Sequence, residues 1–198
     1  MMQSFPIVLG ASLVALVTVA AIYDLRFRRI PNWLNLSGLM LGFALNAVCF
    51  HLVGAKNAGE GMLLALAVYL PLYLLRGMGA GDVKLMAAVG ALVGPGNWFQ
   101  IFVATALMGG ACAGIFALAK GRLGETLCNL HFLLRDLISF RAPYRTNPQL
   151  DFRNSGSLGL PHGVPIALGS FVFLAFVLAG NNTLSTVISK LLAGIFWT

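Results

Sequence analysis

Residues 76–90 read RGMGAGDVKLMAAVG, and the reading of this stretch decides the fold. Gly77, Gly79 and Gly81 precede Asp82, and an apolar run follows at once. Behind it, residues 61–75 carry no charge. A pliant, acid-bearing turn between two apolar runs is either a corner of a soluble core or a turn at membrane depth.

Composition separates the two. Of 198 residues, 59 % are hydrophobic and 10 % charged, with a mean hydropathy of +0.86. A soluble domain carries roughly a quarter charged residues. The shortfall, spread over several long uncharged runs, specifies an all-α polytopic membrane protein. The chain reads as a single membrane-embedded domain over 1–198.

Residues 4–23 are twenty uncharged positions, enough to cross about 30 Å of hydrocarbon at 1.5 Å per residue. MMQSF lacks the basic start of a secretory signal, so this segment is expected to be retained as the first span. Further spans fall near 33–53, 58–75, 83–94, 97–119 and 163–180, about six in all, the fourth of them short. Residues 184–198 are apolar but interrupted by Lys190, and read equally as a tilted span or an interfacial tail. Gly109, Gly110 and Gly114 are expected to allow close helix approach.

Six crossings place eleven of the thirteen Lys and Arg residues on one side, leaving Lys56 and Lys190 on the other. The basic side is then cytoplasmic and the N-terminus outside. The net charge of +7 thus has a topological origin, and no basic stripe interleaved with aromatics points to nucleic acid. The cytoplasmic loop 120–162 carries Leu123, Leu127, Leu130, Leu134 and Leu137 at helical spacing, an amphipathic helix expected along the membrane surface. Cys49, Cys112 and Cys128 form no CxxC pair, so neither a zinc site nor any other cofactor is expected.

Of six acids, four lie in loops or on the surface helix, whereas Asp24 ends the first span and Asp82 opens the fourth. The derived topology puts both at one membrane face. Each alone has an ordinary explanation: Asp24 pairing with Arg26 or Arg28, Asp82 capping a helix. Together, beside glycines that let another chain pass closely, they point to chemistry. Two adjacent carboxylates share one proton, so the anionic member activates water while the protonated one polarises a peptide carbonyl. A proton or cation relay in a small transporter or channel is the alternative use of the same pair, although relays favour acids at mid-membrane on opposing spans.

GAGD (79–82) resembles the GxGD aspartic proteases of membranes, and among them the type IV prepilin peptidases of the short, tight-adherence (Flp) pilus form. YDLRFRRIPNWLN (23–35) is similar to the family's first-aspartate region, GAGDVKLMAAVGALVGP (79–95) to its second, and LPHGVPIALG (160–169) to the segment opening its last span. His162 stands there where Tyr is commoner. The resemblance implies cleavage of prepilin leader peptides after a glycine at the cytoplasmic face of the bacterial inner membrane. It implies Asp24 and Asp82 as the catalytic pair, Gly79 and Gly81 as backbone support, and Lys84 as a candidate supporting residue. Longer members add a cysteine-rich methylating domain. This chain has no such cluster, so peptidase activity alone is expected, with prepilins and lipid as its partners.

Overall fold

The computed structural model describes residues 6–74, 78–119 and 162–178, and among these the regular structure is entirely helical. Helix α1 spans Ile7–Phe27, α2 Asn32–Leu74, α3 Ala80–Ala119 and α4 Gly163–Leu178. The first three are long and apolar enough to cross a membrane, and α4 is a shorter apolar helix. The surface helix expected at 122–140 and the undecided segment 184–198 lie outside the described residues.

Helix α1 stops because Arg28 adopts the left-handed conformation (φ 51°) and returns its N–H to the Asp24 carbonyl at 2.8 Å. Pro31 then starts α2, its carbonyl accepting from the Leu34 and Asn35 amides. The two long helices are each broken. In α2 the break is at His51 (φ 56°, ψ −139°), and in α3 at Gly94 (φ 77°, ψ 171°), just before Pro95.

These breaks are reversals. The Trp98 indole N–H donates to the Met86 carbonyl at 3.1 Å, although the residues are 12 apart in sequence. In a straight helix that separation would be about 18 Å. Likewise a Cβ placed on Gly54 would strike the Asn46 carbonyl, eight positions back. So α2 is a hairpin of arms 32–50 and 52–74, and α3 a hairpin of arms 80–93 and 95–119.

The arm 80–93 is short, about 21 Å at 1.5 Å per residue, because it faces protein on nearly every side. Residues 85–94 are buried without interruption. A helix apolar all round is stable in that central position. Both arms of α2 press on it through glycine: Gly42 lies against Ala91, and Gly61 against Gly90, where a Cβ on either would strike the other's carbonyl. Close approach of this kind lets backbones pack where no hydrophobic driving force acts between helices. The expectation for the 109–114 glycines is corrected: Gly110 and Gly114 meet nothing within 4 Å among the described residues, and Gly109 makes only ordinary contact with Pro165. The tight crossings sit instead on the central arm and where Gly169 of α4 meets the Thr105 backbone.

Asn46 fastens the reversal end. Its buried amide donates to the Gly42, Ala91 and Leu92 carbonyls at 2.9–3.0 Å. Large apolar side chains such as Ile7, Val48, Leu52 and Leu74 are strongly exposed, which suits a lipid-facing surface.

Candidate active site

The end of the bundle opposite His51 and Gly94 gathers the C-terminus of α1, the 28–35 connection, the start of α3 and the start of α4. Asp24 and Asp82 both lie there and both are buried, at 7 % and 8 % exposure. They are close enough to act on each other electrostatically.

Each carboxylate is held by a backbone amide. Asp24 Oδ2 accepts from the Gly163 N–H at 2.7 Å, a bond delivered by the N-terminus of α4. A helix start favours negative charge there. Among the described residues no ion pair joins Asp24 to Arg26 or Arg28, so the ordinary explanation for this acid does not apply within them.

Asp82 sits in the first turn of α3. Its Oδ2 accepts from the Gly79 N–H at 3.3 Å, while its own N–H donates to the Gly79 carbonyl at 3.2 Å. The first bond is one half of a helix-capping box, the side chain of the third helical residue reaching back to the amide before the helix, and Gly79 has no side chain to supply the other half. The capping explanation for Asp82 is therefore real, yet it fixes the carboxylate's direction as well as closing the helix.

The glycines have distinct duties. A Cβ on Gly79 would stand 3.3 Å from Asp82 Oδ2, and one on Gly81 would stand 3.3 Å from Ile30. Gly79 thus leaves room for the carboxylate and Gly81 for the 28–35 connection. Gly77 lies outside the described residues. Lys84 is exposed, and its ammonium donates to Asn32 Oδ1 at 2.9 Å, which ties it to the connection and not to either aspartate.

Four further residues, given no role in the sequence, complete the site. Gly163 is the hydrogen-bond donor to Asp24. His162, in the turn before it, acts electrostatically on Asp82, as does the buried Tyr69. Asn35 donates from Nδ2 to the Gly81 carbonyl at 3.3 Å, one residue before Asp82. Asn35 lies within the quoted YDLRFRRIPNWLN and His162 and Gly163 within LPHGVPIALG, whereas Tyr69 lies in no quoted motif. Tyr69 also packs edge-on against Trp98 and Phe102, which joins the site to the α3 hairpin.

Among the described residues no three His, Cys, Asp or Glu side chains assemble as a metal site. A separate cavity of about 700 Å³, lined by Asn46, His51, Asn57, Glu60 and Asn97 among others, lies at the reversal end, away from the aspartates.

The fold and site thus define an apolar helical protein with two buried carboxylates converging at one end. Residues 11–114, just over half of the chain, match the type IV leader peptidase family, and the chain belongs to that family. Its members are proteases. The matched segment contains both aspartates and most of α3, whereas Gly163 is supplied from beyond it. No curated protein and no solved structure matches the chain.

Proposed function

We propose that this protein is an aspartic endopeptidase that cuts the leader peptide of prepilins after a glycine, with Asp24 and Asp82 as its catalytic pair. The observation that carries the reading is their burial at one end of the bundle within electrostatic reach of each other, each carboxylate accepting a backbone amide at a helix start. Two buried carboxylates that act on each other divide one proton between them, with His162 close enough to bias Asp82 toward the anion. The anionic member takes a proton from water as the water oxygen attacks the scissile carbonyl carbon. The protonated member gives its proton to the carbonyl oxygen. Collapse of the tetrahedral intermediate breaks the C–N bond, and a proton passes to the leaving amine. The pair acts as a unit, and neither role is tied to one aspartate.

In this reading six helical segments cross the inner membrane, with the aspartate end at the cytoplasmic face. The charge asymmetry of the loops supports that orientation. Clustering at one end also argues against a transmembrane relay, which would draw on acids at mid-membrane.

The test uses the purified chain with a prepilin in proteoliposomes, and mass analysis of the product's new N-terminus. Cleavage directly after glycine, unaffected by a metal chelator, is the expected outcome. Cleavage elsewhere, or loss of activity in chelator restored by metal, would reject the mechanism.

A further inference from the structure

The 28–35 connection joins the helix that carries Asp24 to the helix that follows, and it leans on the first turn of the helix that carries Asp82. Ile30 is buried and fills the space that Gly81 leaves open. Asn35, 4 % exposed, donates its Nδ2 to the Gly81 carbonyl at 3.3 Å. The orientation of this carboxamide follows from the acceptor: a carbonyl can be met only by the NH2 end.

The other end of the same group is anomalous. Among the described residues, Asn35 Oδ1 is buried without a hydrogen-bond partner. A buried acceptor left unmade costs more than a neutral hydrogen bond returns. The polar atoms of Asn35 are therefore half used by the protein partners among the described residues: one bond to Gly81 and none to Oδ1. Leucine, with the same number and branching of side-chain heavy atoms, would keep the outline without the polar atoms. Asn46 presents the contrast, a buried asparagine whose amide meets three carbonyls across two helices.

We propose that Asn35 is a positioning residue for the aspartate pair, its bond to Gly81 holding the start of α3 in register with the connection from α1. This rests on the assignment of Asp24 and Asp82 as the catalytic pair. The bond acts on the residue next to Asp82, while Ile30 against Gly81 supplies the apolar half of the same latch. Displacing a reacting group by about 1 Å can cost about 100-fold in rate, so one hydrogen bond at this point has leverage that it lacks elsewhere.

The test variant is Asn35→Leu. A purely structural asparagine would lower thermal stability and leave the turnover of the folded fraction alone. The latch predicts the reverse: a melting temperature equal to or above that of the wild type, and a kcat for prepilin cleavage reduced tenfold or more with KM within about twofold.

A second readout needs no catalysis. In a chain with Cys49, Cys112 and Cys128 replaced by Ser, the pair Asp24→Cys and Asp82→Cys is treated with a short bifunctional thiol reagent in membranes. Crosslinking is expected to fall at least severalfold when Asn35→Leu is added. Unchanged crosslinking with unchanged kcat would overturn the positioning role and leave the catalytic pair standing. Reduced crosslinking in a protein whose Asp24→Asn variant still cleaves prepilin would establish the latch and overturn the catalytic reading beneath it.

Discussion

The Gly163 amide donates to Asp24 Oδ2 at 2.7 Å, tying the first turn of α4 to the end of α1 across 139 positions of sequence. The bond depends on glycine for space. A Cβ at this position would stand 3.0 Å from both Cβ and Oδ2 of Asp24, so even alanine must push the carboxylate aside. Gly163→Ala is expected to insert and fold normally while prepilin cleavage falls between tenfold and the about 100-fold that a 1 Å misplacement costs. Initial rates on a purified prepilin, with the variant's membrane level as control, decide it.

The crossing of Gly61 on Gly90 sets the position of the central arm of α3, and through it the position of Asp82. The neighbour of each glycine is backbone, which cannot rotate away. Gly90→Ala is expected to cost at least the roughly 1–3 kcal/mol of an overpacked core, and Gly61→Ala the same. Gly96, which meets nothing within 4 Å, provides the comparison, and Gly96→Ala is expected to be neutral or mildly stabilising. Thermal unfolding in one detergent ranks the three.

Trp98 bonds the two arms of the α3 hairpin and is fully buried, stacked on Phe102 at 5.5 Å between ring centroids. Trp98→Phe keeps the aromatic contact but removes the donor to Met86. A loss of about 1 kcal/mol or slightly more follows from one buried hydrogen bond and the smaller ring, measurable as a lowered melting temperature with cleavage specificity unchanged.

Much of this arrangement was legible in the chain. Asp24 and Asp82 stood out because acids at the ends of apolar runs are rare, and alternation of spans put them on one face. The gap between the spans expected at 83–94 and 97–119 falls at the α3 reversal, next to Gly94. The α2 reversal was misplaced: spans at 33–53 and 58–75 left 54–57 between them, but those positions are helical and the chain turns at His51 (φ 56°), where a non-glycine residue rarely adopts positive φ. Asn35 and Asn46 were silent, since an asparagine within an apolar run looks alike whether it faces lipid, water or a carbonyl 45 residues away. Gly163 sat in a quoted motif, LPHGVPIALG, but its bond to Asp24 did not show there. Its partner is fixed by packing of α4 on α1, which periodicity does not encode.

The central claim is that Asp24 and Asp82 together perform the hydrolysis. Asp24→Asn and Asp82→Asn preserve shape and remove only the ionisable oxygen, so the two variants measured separately against one prepilin in proteoliposomes test it most directly. Each is predicted to reduce cleavage to background, at wild-type membrane abundance and with an unchanged melting temperature to within a few degrees. Wild-type cleavage by either variant would contradict the account.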